Sequence, residues 1–198
     1  MSKIYIYGAS GHGHVIAEIA MTCHYKEIVF IDDGDNPYPH SNTLSNDAPI
    51  VLAIGNNKTR AKIYHTLIAS GFEVISLIHP SAIISASATI ENGTVVMAGC
   101  VINADAKIGK GVILNTSCVI EHQTIIEDFV HISPKVALAG DVFVGELSHV
   151  GIGSVAIQGI RIGAESIIGA GSVIVRNIPA KSTAYGNPCR VIKKSKDA

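Results

Sequence analysis

Two hydrophobic rhythms divide the chain. Up to about residue 77, apolar runs alternate between strand-like and helix-like spacing. KIYIYG reads as a strand ending at Gly8, and HVIAEIAMTC places Val15, Ile16, Ile19, Ala20 and Cys23 on one helical face. EIVFIDD reads as a second strand and PIVLAIGNN as a third. Residues 58–70 read as a second amphipathic helix that stops at Gly71, and FEVISLI as a fourth strand. The polar stretch from Gly34 to Ala48 is rich in Asn, Asp, Ser and Pro and reads as loop. Strand–helix–strand order predicts a small Rossmann-like parallel sheet with right-handed crossovers.

From Ile78 the period becomes six. Every sixth residue from there to Ile174 is Ile, Leu or Val, except Ala156. The residue four further on is mostly small or β-branched, as at Ala88, Cys100, Cys118 and Ser148, and reads as the point of a tight turn. A hexapeptide period is the mark of a parallel β-helix, in which no coil buries its face alone and stacked neighbours supply the core. The unbroken register predicts that no loop longer than the repeat interrupts the coils. With three hexapeptides per coil, residues eighteen apart lie on adjacent rungs, roughly 4.8 Å apart. Cys100 then sits over Cys118 as a small core residue. Ala104, His122 and Gly140 form one column, and Ile113, His131 and His149 a second. Pro134, Ile152 and Ala170 form a third. The expected organisation is 1–77 as the sheet domain, 78–180 as the β-helix and 181–198 as a carboxyl-terminal tail.

Composition narrows the function classes. Only 16% of the 198 residues are charged, the net charge is -1, and the basic residues cluster only at Lys193, Lys194 and Lys196. That leaves no electrostatic footprint for nucleic acid, and the absence of tryptophan disfavours a stacking platform for single strands. No apolar run suits a spanning helix or a signal peptide, so a cytoplasmic protein without membrane insertion is expected. The four cysteines lack CxxC spacing and read as reduced.

Candidate chemistry gathers at two places. The turn GASGHG leaves a strand and enters a helix, where backbone amides favour an anion. Its spacing is not the dinucleotide G-x-G-x-x-G. Asp32 and Asp33 end the second strand and Gly55 to Asn57 the third, so all three loops lie beyond the carboxyl ends of parallel strands, where ligands bind. A nucleotide or sugar nucleotide suits this arrangement. The plainer reading is that Gly8 and Gly11 only make a tight turn and Asp33 only starts a loop. The second place is the run Glu121, His122, Gln123 inside an aliphatic stretch, with His122 two residues past the column residue Ile120 and free to face outward.

The hexapeptide run resembles the left-handed β-helix acyltransferases. With KIYIYGASGHG, IDD, AIGNN, LIHPSA and GVILNTSCVIEH, residues 3–192 resemble the bacterial sugar acetyltransferases that act on UDP-4-amino-4,6-dideoxy-N-acetylglucosamine in bacillosamine synthesis, with protein glycosylation, capsule and lipopolysaccharide all open as the pathway served. Sialic acid O-acetyltransferases and perosamine N-acetyltransferases share the architecture. The resemblance implies a homotrimer, with acetyl-CoA as co-substrate along the β-helix between subunits and no metal. It places the catalytic base at His122 and a thioester-contacting amide at Gly140. Acetyl-CoA contacts fall at His131, Gly140, Ile152 and Ala170. UDP-sugar contacts fall at Ser10, Gly11, His12, Asp32, Asp33, Gly55 and Asn56. Relatives usually carry an acid after the catalytic histidine; this chain has Gln123, whose carbonyl can orient the ring but cannot stabilise an imidazolium as a carboxylate does.

Other readings predict different behaviour. Some left-handed β-helix trimers are zinc carbonic anhydrases with three histidine ligands, but here the column count separates His122 from His131 and His149. A non-enzymatic scaffold would not bind acetyl-CoA. O-acetylation of sialic acid, or N-acetylation of another nucleotide-linked amino sugar, would change the acceptor but not the β-helix chemistry.

Overall fold

A computed structural model describes residues 3–194; Lys196 of the basic tail lies outside them. Three parallel strands, β1 (Lys3–Tyr7), β2 (Glu27–Ile31) and β3 (Ile50–Leu52), form a sheet in the order β2-β1-β3. Helices α1 (Gly11–Thr22) and α2 (Asn57–Ala69) follow β1 and β3. Strand alternation in β1 divides the cores. Ile4 and Ile6 pack with α1 and the β-helix, while Tyr5 and Tyr7 pack with Tyr64 and Leu67 of α2.

The helical faces differ slightly from the expectation. Gly13, Ile16, Ala17, Ile19 and Ala20 are the buried residues of α1, whereas Val15 is 42% exposed. Gly13 lies against the Gly8 carbonyl with no room for a side chain, and that close approach rotates the buried stripe away from Val15. The expected fourth strand divides. Val74 makes a single parallel bridge to Ile50, and Leu77–Ile78 instead pairs with Val95–Val96 as the first rung of the β-helix. Ser76 makes the switch: its hydroxyl donates to the Glu91 carbonyl and accepts from the Thr94 N–H, drawing the chain out of one sheet into the other.

Beyond it, two-residue parallel strands stack into three faces. The first runs from Leu77–Ile78 to Ile167–Ile168, the second from Ile83–Ile84 to Val173–Ile174, the third from Thr89–Ile90 to Arg161–Ile162. Register is eighteen residues throughout, as in Ile113↔His131↔His149 and Val119↔Ala137. From Val96 to Ile174 the column residues are buried, and each Val, Leu or Ile among them contributes about 1.5–3 kcal/mol. Ile78, at the uncovered start, is exposed.

The tight turn falls one residue earlier than the sequence suggests. Residues such as Cys100, Cys118 and Ser148 point into the core, and Cys100 and Cys118 are free thiols with Sγ atoms 3.5 Å apart. The left-handed backbone belongs to the preceding residue at each corner from Gly93 to Gly171, among them Asp105, Gln123, Phe129 and Leu147. Holding an L-residue there costs roughly 1–2 kcal/mol, offset by ladder bonds on both sides. Buried hydroxyls near the carboxyl end are satisfied by corner carbonyls, Ser148 by Gly163 and Ser154 by Gly169. Residues 182–194 do not trail away: Ser182–Tyr185 and Arg190–Lys194 pair as an antiparallel hairpin that extends the first face.

The sheet domain lies on that first face. The outward column there is Leu77, Val95 and Ile113, all buried in the shared core, then the half-buried His131 and His149, then Ile167 at 53% exposure. Apolar residues stand under the cover, and imidazoles stand where the cover ends.

Candidate active site

The three loops beyond the strand ends of the sheet domain converge, but much of their polarity is already engaged. Asp32 Oδ2 accepts from the Ala9 N–H at 3.3 Å, and its Oδ1 accepts from the Gly34 N–H and Asn36 Nδ2, both at 2.9 Å. Asp33 accepts from the Tyr7 hydroxyl at 2.6 Å and from the backbone and hydroxyl of Ser41. Burial alone would raise the Asp33 carboxyl, but these hydrogen bonds outweigh it and hold it below its ordinary value. The Tyr7 hydroxyl is pushed up by burial and by Asp33. Asn56 Oδ1 accepts from the Thr59 N–H and caps α2. Both acids and Asn56 therefore shape the loops. Open sides remain at Ser10, which makes no side-chain cap, at Gly11 at the start of α1, and at Gly55, where an added Cβ would touch nothing. A cleft of about 320 Å³ adjoins Asp33, lined also by Tyr7, Ser41, Thr59 and Lys62.

Where the loops meet the β-helix, the imidazoles gather. His131 and His149 stack with ring centroids 4.6 Å apart, 3° from parallel. Asn115 Nδ2 lies 3.2 Å from His131 Nε2, and the Ser133 hydroxyl 2.8 Å from His149 Nε2. Among the described residues, His131 Nδ1 and His12 Nε2 are buried with no hydrogen-bond partner. Burial, then His149, Arg60 and His12, push His131 down to about 3. His12 and His149 are lowered by burial and by Arg60. All three rings are thus neutral at pH 7, able to hydrogen-bond without repelling one another.

His122 and Gly140 occupy a different corner, between the second and third faces. The Asp141 N–H donates to the His122 carbonyl and the Gln123 N–H to the Ala104 carbonyl, each at 2.9 Å, so Ala104, His122 and Gly140 stack as the eighteen-residue count requires. His122 is exposed while Ile120 is fully buried. A side chain at Gly140 would collide with the His122 ring. Among the described residues nothing accepts the Gly140 N–H. Gln123 is left-handed, with φ 59°, and its Oε1 lies 3.3 Å from His122 Nδ1. Glu121 turns its carboxylate to the His122 N–H instead of the ring, at 3.4 Å. The third corner carries Ile152 and Ala170, both exposed, stacked above Pro134 through Gly153 N–H to Pro134 and Gly171 N–H to Ile152.

One chain therefore does not bring all the expected residues together. His12 and Gly55 lie beside His131 on the first face, with Ser10 and Gly11 in the same loop as His12; His122, Gln123 and Gly140 stand at one corner, and Ile152 and Ala170 at another. The three histidines weighed as zinc ligands are divided between a corner, His122, and the first face, His131 and His149. Sequence reasoning missed Arg60, fully enclosed at 1% exposure beside these imidazoles, because one arginine on an amphipathic helix gives no sign of burial.

Comparison with known proteins gives concordant matches. Residues 3–67 match the family model described as the PglD N-terminal domain. Over 113 residues the chain is 43% identical to UDP-N-acetylbacillosamine N-acetyltransferase of Bacillus subtilis (strain 168); that stretch covers 50% of this chain and 52% of that protein. The acetyltransferase domain of PglB from Neisseria gonorrhoeae FA1090 is 40% identical with a TM-score of 0.91, covering 97% of this chain and 100% of that one. The same domain has been solved in complex with acetyl coenzyme A. PerB from Caulobacter crescentus, in complex with CoA and GDP-perosamine, is 34% identical with a TM-score of 0.89, covering 98% of each chain. The β-helix, the preceding parallel sheet and these full-length likenesses agree: the chain belongs to the left-handed β-helix family of acetyl-CoA-dependent sugar N-acetyltransferases.

Proposed function

We propose that this protein transfers the acetyl group of acetyl-CoA to the 4-amino group of a UDP-4-amino-4,6-dideoxy-N-acetyl-hexosamine, giving UDP-N,N'-diacetylbacillosamine. The supporting observation is the corner at which His122 stands against side-chain-less Gly140 with an unclaimed N–H. His122 acts as general base on the attacking amine, and the Gly140 N–H stabilises the oxyanion as the thioester carbonyl becomes tetrahedral. CoA thiolate leaves, and the amine proton passes to His122. Gln123, within reach of Nδ1, holds the ring but adds no charge, so the base works without carboxylate support.

The sugar nucleotide lies at Ser10, Gly11, His12, Asp32, Asp33, Gly55 and Asn56, with its diphosphate over the open start of α1. Acetyl-CoA lies along the β-helix against His131, Gly140, Ile152 and Ala170. Division of these residues between the first face and two corners supports a homotrimer in which each seam joins the base of one subunit to loops of the next. The reaction belongs in the cytoplasm, in keeping with four unbridged cysteines. The test offers acetyl-CoA with UDP-4-amino-sugar, with amino sugars on other nucleotides, and with sialic acid, and follows CoA release. Turnover confined to the UDP-amino-sugar is expected; preference for sialic acid would replace N- with O-transfer.

A further inference from the structure

Helix α2 lies along the corner between the third and first faces and meets it at five successive rungs. Tyr64 packs over Gly93, where an added Cβ would stand 2.8 Å from its ring. Arg60 Nε donates to the Gly111 carbonyl at 2.6 Å and its Nη2 to the Phe129 carbonyl at 2.8 Å. Asn57 Nδ2 donates to the carbonyls of Leu147 at 2.9 Å and Ser148 at 3.0 Å. Lys58 pairs with Glu165 at 2.7 Å. Gly93, Gly111, Phe129, Leu147 and Glu165 are eighteen residues apart, and every one is left-handed. The ladder on the first face uses the next carbonyl along, Val130 for Ile113 and Ser148 for His131, so the corner carbonyls of Phe129 and Leu147 are left for α2.

Arg60 also reaches back into its own domain. Its Nη1 donates to the carbonyls of Ile54 at 2.9 Å and Gly55 at 3.2 Å, and its Nη2 to Asn57 Oδ1 at 2.8 Å. Among the described residues no carboxylate is one of its acceptors. A buried cation held only by neutral oxygens is a poor way to stabilise a fold, since an apolar side chain of similar size packs there without the desolvation penalty. A planar fork that bonds two elements at once suits a different task, which is to fix their relative placement.

We propose that Arg60 and Asn57 are positioning residues that set the loop Ile54–Asn57 against the rungs carrying His131 and His149, and so register the acceptor sugar with the thioester. The proposal rests on the functional reading above. Neither side chain touches the reacting atoms; each acts through the loop and the corner it joins.

The full chain serves for the test. Asn57→Ala removes the bond to the Leu147 rung, and Arg60→Lys keeps the long stem and an amine but loses the planar fork. Both should bind acetyl-CoA within about threefold of wild type by calorimetry, while kcat falls roughly 10- to 100-fold, the scale of an ~1 Å misplacement. Melting temperatures measured alongside separate this from unfolding. Hydrogen exchange should rise at residues 54–57 and 129–131 and stay unchanged on the second face. A kcat within about twofold of wild type in either folded variant would overturn the proposal, as would unchanged exchange at 54–57 in Asn57→Ala. Should Arg60→Lys not fold, Asn57→Ala decides alone. If wild type itself acetylates no nucleotide amino sugar, the functional reading fails, and the exchange measurement alone then decides the positioning role.

Discussion

In the β-helix a residue's neighbours follow from its number: His131 lies on His149 and Gly140 on His122 because eighteen residues separate each pair. In the sheet domain, adjacent residues have unrelated fates. Asp32 ties the first turn to Gly34 and Asn36, while Asp33 ties Tyr7 to Ser41. The repeat supplies fixed addresses along a rigid column, and the sheet domain supplies shaped loops whose form depends on hydrogen bonds distant in sequence. The column and the loops can therefore vary independently, the one fixed by repeat arithmetic and the other by hydrogen bonds distant in sequence.

The contrast can be broken at its sharpest point first. His122→Ala should lower kcat by roughly 100- to 10,000-fold, the range for loss of a general base, with acetyl-CoA affinity retained; steady-state kinetics and calorimetry on the same preparation check both halves. Near-normal turnover would remove His122 from the chemistry. Leu114→Ala, a cavity in the column beneath the sheet domain, should destabilise the protein by about 2–5 kcal/mol, read by denaturant unfolding. A loss under about 1 kcal/mol would show that stacked coils relax around the void.

The joint between the two regions carries a pH signature. His131 is held near 3, and His12 and His149 below their ordinary 6.5. The folded state then binds fewer protons than the unfolded chain below pH 6.5, so this part of the stability is complete above that value. It is lost as the pH falls from 6.5 toward 3, at up to about 1.4 kcal/mol per pH unit per histidine. Thermal melts between about pH 7.5 and 5 should show it, and His131→Asn should flatten the curve. The smallest change sharpens the comparison most. Gln123→Glu places a carboxylate beside His122 Nδ1 and should raise kcat/KM a few-fold, moving its acid limb to higher pH. No movement of that limb would mean residue 123 does not face the ring in the working enzyme.

Much of the β-helix was legible in advance because a strict six-residue period has one structural meaning, and the column of Ile113, His131 and His149 follows from arithmetic. The corner was misplaced by one residue because the left-handed position and the buried position are adjacent, and small residues occur at both, as in Gly99–Cys100 and Ser117–Cys118. Val15 and the fourth strand failed for a tertiary reason. Periodicity sees neither the close approach of Gly13 to Gly8 nor the pull of Ser76 toward Glu91 and Thr94. The candidate site was legible as loops and as a histidine corner. The employment of Asp32, Asp33 and Asn56 in shaping those loops was not, because such hydrogen bonds join residues that no local pattern links.

The outward column on the first face has an evolutionary consequence. Its change from Leu77, Val95 and Ile113 to His131 and His149 marks how far the sheet domain reaches, and the unit of that scale is one whole coil. Deleting eighteen residues preserves every kind of ladder bond yet slides both imidazoles one rung beneath the roof; inserting eighteen carries them out into the open. Spacing between the sheet-domain loops and this imidazole pair can therefore change only in jumps of one coil, while loop sequence can vary freely.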